Sequence, residues 1–345
     1  MISFRPARHG LSSLFGGSAR DVTAAAADRW VEALGNEAPV RPAIFLPGQL
    51  ERIRGSMFGT IGEVVRDFRG GFTSRQPDTV GYRLHHVDLV DGVLYARGAA
   101  RHLRPRARRA PAYRRPREAI TGSLYETWVG NRWFGMWMVD DCLTYRLAER
   151  YGAPVTTARA GGHMARYEAL LGFAPRRVAD VHFDELILFD DAGHNLGKRA
   201  RTDDLKRRLT GGRPVEEHPG VFILRGTTGE RRILRNEREI AEKLAATRGF
   251  RVIDPVEKTA DEIVADCAGA AVVMGVEGSH LVHGLMALKP GGLFFAIQPP
   301  TRAVSALKLT TDRQDQDYAL VVGEGDEDGF TADWEEVERT LDLAH

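Results

Sequence analysis

Apolar positions along this chain change period several times, and the clearest change lies near the C-terminal third. Ala270 to Val276 (AAVVMGV) is apolar at nearly every position rather than at alternate ones, which predicts a strand covered on both faces. Glu277-Gly278-Ser279 predicts a tight turn, His280 to Leu288 a short buried helix, and Pro290-Gly291-Gly292 a stop. Leu293 to Gln298 then reads as a second strand. The preceding residues have the same rhythm. VFILRG (Val221 to Gly226) predicts a strand. Asn236 with Glu239 reads as a capping box opening a helix to Arg248. Gly249 ends that helix, and Phe250 to Asp254 is the next strand. Thr259 with Glu262 is a second capping box, for a helix ending near Gly269. Alternating β and α units with right-handed crossovers predict an α/β domain with a parallel, Rossmann-like sheet over residues 218–310.

Upstream the pattern is mixed. Asp21 to Leu34 reads as a helix, and Arg41 to Leu50 as a short strand running into a Pro-Gly turn. Val80 to Gly98 reads as a hairpin turning at Asp91-Gly92. Residues 1–118 are therefore expected to form a small, mostly β N-terminal module. Leu124 to Arg150 is aromatic-rich and then helical, with Phe134, Trp137, Met138, Cys142 and Tyr145 at three- and four-residue spacings. Asp140 and Asp141 interrupt that stripe, so at least one must face away from it. Asp184 to Asp191 predicts a strand, followed by a basic helix. Asp333 to Leu343 predicts a final helix with Trp334, Val337 and Leu341 on one face.

Composition adds bounds. With 345 residues, 43% hydrophobic and 28% charged, the chain suits a globular protein of two domains. A net charge of +1 makes no whole-molecule case for nucleic acid. Two distant cysteines, Cys142 and Cys267, form no CxxC and suit a reducing cytoplasm. No run approaches the roughly 20 apolar residues of a membrane span; association with a membrane surface stays open. Charge is unevenly spread. Arg97 to Arg117 carries nine arginines and no acid, whereas Thr311 to His345 carries twelve acids against two arginines. Three prolines and a single aromatic in the arginine run favour a solvated loop, or a patch for an acidic substrate, over a nucleic-acid helix. The acidic segment would be its intramolecular complement.

In open parallel sheets ligands bind at the carboxyl ends of the strands. Those ends place Arg225, Arg231, Arg232 and Asn236 beside Gly275, Glu277, Gly278, Ser279, His280, His283 and Gln298. Cations and helix-start N–H groups suit a diphosphate, and acids and amides suit sugar hydroxyls. The Gly193–Lys198 loop lacks Walker A spacing, RGTTGE lacks GxGxxG, and Ser279 lacks the glycines of a nucleophile elbow. Glu277, His280 and His283 have metal-ligand chemistry, but the apolar Leu281 and Val282 between the histidines favour packed or ligand-facing rings. No metal is assigned, and a divalent cation is compatible with the sequence without being required by it.

GVEGSHLVHG, PGG and QPP, with LRGTTGERRILRNEREI, FDELILFDD and FGMWMVDD, resemble the bacterial branch of glycosyltransferase family 61. That family includes plant xylosyl- and arabinosyltransferases and animal O-linked GlcNAc transferases. Its HGAGL motif is represented here by Glu277-Gly278-Ser279-His280-Leu281, and the histidine before its Trp motif by Met136. The resemblance implies a GT-B-like architecture of two Rossmann-like domains with parallel sheets. The N-terminal module would precede an acceptor-side domain (119–217) and a nucleotide-sugar domain (218–310). An acidic C-terminal segment (311–345) would follow, with its helix returning to the first domain. It also implies an inverting transferase acting at the cytoplasmic face in capsule, lipopolysaccharide or exopolysaccharide assembly. Its partners would be a nucleotide-sugar donor and a glycan acceptor. Asp140 or Asp141 is the expected base.

Overall fold

The computed structural model describes residues 2–7, 20–108, 110–211, 215–226 and 232–344. The chain divides into two compact units, each discontinuous in sequence: Met1–Gly35 with Pro77–Gly193, and Asn36–Gln76 with His194–His345.

The first unit is built on an eight-stranded mixed sheet. The hairpin expected at Asp91-Gly92 joins Thr79–Val90 to Val93–Ala96, and both turn residues have positive φ, at 51° and 72°. Asp-Gly suits this two-residue turn because its twist matches that of the flanking strands. This hairpin is not a separate module. Thr79–Val90 pairs antiparallel with Val181–Asp190, which itself runs parallel to Ala119–Leu124; Pro154–Thr156 continues that parallel set. Leu84, Val87, Phe183, Leu186 and Ile120 therefore share one core. The helix expected at Asp21 to Leu34 is instead a short 3-10 turn, Val22–Ala25, capped by Asp21, and a strand, Asp28–Ala33. That strand pairs with Thr79–Val90, so a partner outside the segment overrides its local preference.

The second unit holds the parallel sheet. Its order is Arg251–Ile253, His218–Ile223, Ala270–Val276, Leu293–Gln298 and Asp317–Val322. The first four strands match the sequence pattern; the fifth lies in the acidic C-terminal segment and was not anticipated. The Thr259–Glu262 capping box forms as expected. Asn236 makes no cap: its side chain accepts from Ala332 N–H and donates to the Ala332 carbonyl, fixing the segment beyond the last strand.

Residues 36–76 are stitched into this unit. Ile44 bridges the edge strand at Tyr318 and Leu320, and Gln49 Oε1 accepts from Val322 N–H. Arg52 makes a two-pronged pair with Glu336, both contacts at 2.6 Å. The final helix, Trp334–Asp342, packs within the second unit. Val337 and Leu341 pack on the second unit's own core with Phe222, Phe295 and Val321, and Lys243 Nζ lies 5.5 Å from the Trp334 ring centroid. A segment following an edge strand finds the nearest apolar surface on that same sheet.

Charges follow the same division. Described C-terminal acids pair with cations other than the arginine run: Asp317 with Arg41, Asp315 with Arg199, and Glu338 and Asp342 with Arg248. From that run, Arg101 pairs with Asp21 and Asp190, and Arg115 with Asp88, all in the first unit.

Candidate functional site

The carboxyl ends of the parallel strands gather most of the residues expected for ligand binding. Arg225 follows Ile223 by two positions and is buried. Its own N–H and that of Gly226 donate to the two carboxylate oxygens of Glu237, at 2.7 and 2.8 Å. Glu237 thus holds the loop that carries the arginine. The guanidinium reaches the end of the next strand: Nη1 is 3.4 Å from His280 Nδ1. A Cβ on Gly278 would lie only 2.3 Å from that Nη1, and Gly278 has φ 156°. The backbone conformation favours glycine there, and a larger residue would also displace the Arg225 guanidinium.

Arg232 approaches from the other side. It donates to the Glu277 carbonyl at 2.8 Å and forms a buried ion pair with the Glu277 carboxylate. The surroundings are electropositive. Burial, the like charges of Arg232 and Arg302, and too little compensation from Glu277 lower the Arg225 pKa to about 10, so it stays charged at neutral pH. Burial, then Arg225, His283 and Arg232, hold the His280 imidazole well below its ordinary range, and it is neutral. Its Nε2 is buried and makes no hydrogen bond among the described residues.

Beside this cluster lies a cavity of about 320 Å³, lined by Arg232, Pro299, Thr301, Arg302, Asp326, Glu327, Asp328 and Phe330. Arginines form one part of its wall and the acidic hairpin Glu324–Asp326 to Gly329–Thr331 another. The sequence reading missed Glu237, Thr301, Arg302 and this hairpin. The run GEGDEDG carried a turn signal, but nothing in it pointed back to the arginines.

Other expected ligand contacts have structural duties. The Gln298 amide is fully buried and spends itself internally. Its Nε2 donates to the Val304 carbonyl and the Tyr318 hydroxyl, and its Oε1 accepts from Val304 N–H. It thereby shapes the 299–304 loop rather than offering groups to a ligand. A Cβ on Gly275 would meet the Ile223 carbonyl at 2.5 Å and Leu281 at 2.7 Å, so that glycine serves packing. His283 is buried in the sequel to the turn. The helix expected from His280 to Leu288 is a 3-10 turn, Ser279–Leu281, followed by Val282–Leu285. So short an element carries little dipole, and side-chain cations are the stronger source of positive potential. Arg231 lies outside the described residues.

Asp140 and Asp141 belong to the first unit, in a π-helical stretch, Trp137–Asp141, between helical segments. Single π turns insert an extra residue and are frequent at functional sites. Here the insertion sends the two acids to different surroundings. Asp141 is 1% exposed and accepts from Thr127 N–H at 3.2 Å and the Thr127 hydroxyl at 2.7 Å. A Cβ on Gly130 would fall 1.9 Å from its Oδ2, leaving no room for a substrate hydroxyl. Burial raises its pKa well above the carboxylate range. The expectation of Asp141 as base is corrected on these grounds: it is an internal clamp for the 127–130 turn. Asp140 is half-buried.

A parallel α/β sheet with arginines gathered at its carboxyl edge is an arrangement suited to an anionic ligand. The sequence pattern of Glycosyltransferase 61 matches residues 77–296, and the chain belongs to that family. It is accordingly a glycosyltransferase. The match ends before Gln298, so Thr301, Arg302 and the acidic hairpin lie beyond it. No curated protein matches the chain. Among the described residues, no helix is long and apolar enough to cross a membrane.

Proposed function

We propose that the protein is an inverting glycosyltransferase that moves a sugar from a nucleotide-sugar donor to a glycan acceptor in capsule or exopolysaccharide assembly, on a GT-B-like scaffold at the cytoplasmic face of the membrane. One observation carries the donor site. Burial lowers the Arg225 pKa to about 10, helped by repulsion from Arg232 and Arg302 that the buried Glu277 carboxylate, paired with Arg232, offsets only in part. A diphosphate would relieve that repulsion, and its departure with the nucleotide would be stabilised by the same charges, at roughly 3 kcal/mol for each well-placed donor. Ser279 and His280 border the cluster. The acids on the opposite wall of the cavity supply acceptors for sugar hydroxyls. Asp140 is the proposed base for the acceptor hydroxyl, since Asp141 is enclosed.

A thermal-shift panel of nucleotide sugars, followed by transfer assays with the stabilising donor, tests this reading. A donor present at about 100 times its Kd adds about 2.7 kcal/mol to stability. Absence of stabilisation by any nucleoside diphosphate or nucleotide sugar would remove the donor site. The departures at Met136 and at Glu277-Gly278-Ser279 favour a second reading, a non-catalytic nucleotide- or polysaccharide-binding protein. Donor hydrolysis without acceptor separates the two.

A further inference from the structure

The first unit contains a group of side chains that the transferase reading does not use. Strands Thr79–Val90 and Val181–Asp190 pair Val87 with Phe183 and His85 with Glu185, and leave His86 and Asp184 out of the paired register between them. His86 has φ 57°, a left-handed backbone that a histidine rarely adopts and that ordinary strand pairing would not impose. Across the bulge stands His182, opposite Asp88.

His182 is nearly buried and oriented from behind. Its Nδ1 lies 2.7 Å from Asp88 Oδ1, while Asp88 Oδ2 accepts from the Tyr113 hydroxyl at 2.7 Å and from Arg5 at 3.0 Å. With Asp88 ionised, Nδ1 carries the proton, and in the neutral ring the lone pair is on Nε2. Arg115 Nη2 is 3.3 Å from Nδ1 and 3.2 Å from Nε2. A group so nearly equidistant cannot lie in the ring plane without striking the carbon between the nitrogens. It sits over the face of the ring, and the in-plane Nε2 lone pair is left to other partners. Asp184 Oδ1 is 3.5 Å from Nε2, and the His86 ring is parallel to His182 within 10°, centroids 5.8 Å apart. One ligand atom from each of His86, His182 and Asp184 lies within 4.8 Å of the others, and His86 and Asp184 are exposed.

We propose that His86, His182 and Asp184 form a binding site for a divalent transition-metal ion of the zinc class. Two imidazoles and one carboxylate favour zinc or cobalt over magnesium or calcium. Three protein ligands leave a fourth position for water or an exogenous group. Ligand atoms about 2.0–2.2 Å from a tetrahedral ion sit closer together than they do here, so rotation of the two exposed side chains completes the site. Asp88 acts through His182 as a positioning residue. The unpaired residue on each strand has a reason in this arrangement, because it brings ligands from two strands to one point.

The test uses the full chain without a histidine tag, stripped with a chelator and dialysed. Calorimetry with Zn²⁺ and absorption titration with Co²⁺ should show one saturable site of micromolar affinity. His86→Gly suits the left-handed backbone and removes a ligand. It and the exposed Asp184→Ala should each weaken Zn²⁺ at least tenfold without lowering the melting temperature of the metal-free protein. Asp88→Asn should weaken it roughly 10–100-fold, the usual effect of losing such an outer partner. No saturable binding of either ion by the unmodified chain overturns the proposal. So does unchanged affinity in both exposed variants, which would place the ion on other histidines. Neither result bears on the donor site of the second unit.

Discussion

Each unit buries one carboxylate among arginines and a histidine, and the two groups differ in where the cations point. In the first unit Arg5, Arg115, Tyr113 and His182 all contact Asp88, and their hydrogen bonds and charges overcome burial to hold its carboxyl below the usual range. In the second unit Arg232 bonds Glu277, while Arg225 approaches His280 and Gly278. Charge directed inward onto an acid is spent on holding the fold. Charge gathered beside like charges lies in an electropositive setting, and burial together with Arg232 and Arg302 lowers the Arg225 pKa to about 10.

The largest expected break in this contrast is Arg232→Ala, which strands a buried Glu277. It should cost about 3–5 kcal/mol in denaturant unfolding. A loss under about 1 kcal/mol would mean that the pair is not a centre of the second unit. Arg225→Ala, by contrast, should cost less, because burial and the like charges of Arg232 and Arg302 already disfavour its charge. Ser279→Asp sets a carboxylate against the proposed diphosphate and should weaken donor binding more than roughly a hundredfold, with Arg225→Ala acting in the same direction. Calorimetry decides this, and unchanged binding in Ser279→Asp would sink the phosphate site.

Next come the acids of the π turn. Asp140→Asn should lower transfer by at least roughly a hundredfold with donor binding preserved, as for loss of a general base. Asp141→Asn should retain transfer, since Asn can keep both links to Thr127. Full activity in Asp140→Asn would end its assignment.

The pH dependence sharpens the comparison further. Asp88 has a lowered folded pKa, so its stabilisation is present above the unfolded value of about 3.8 and is lost as pH falls through the folded one. Asp88→Asn should therefore abolish part of the acid-unfolding slope. Asp141 has a raised folded pKa, and its contribution runs the other way: present in acid and lost as pH rises. The melting temperature of the wild type relative to Asp141→Asn should fall as pH rises above the unfolded value of about 3.8 and level off beyond the folded one. The smallest effect concerns a device legible in sequence: Thr259→Ala removes a capping box and should cost about 1 kcal/mol, measured by the same unfolding curves.

Local chemistry by itself determined the elements whose causes lie within a few residues. Four parallel strands, the Asp91-Gly92 hairpin and the Thr259 cap could be read from apolar runs, φ > 0 residues and side-chain capping, as could the gathering of Arg225, Arg232 and Gly278 at strand ends. Only the tertiary structure decided which of those residues face a ligand. Gln298, Gly275, Asn236 and Asp141 have the right chemistry and the right position, yet each is consumed by a partner far away in the chain: Tyr318, Ile223, Ala332 and Thr127. The same holds for the strand Asp28–Ala33 and for the fifth parallel strand, whose partners lie about 20 to 50 residues distant. Hydrogen bonds and burial are satisfied in space, so a residue's availability is a property of its neighbours and is not written at its own position.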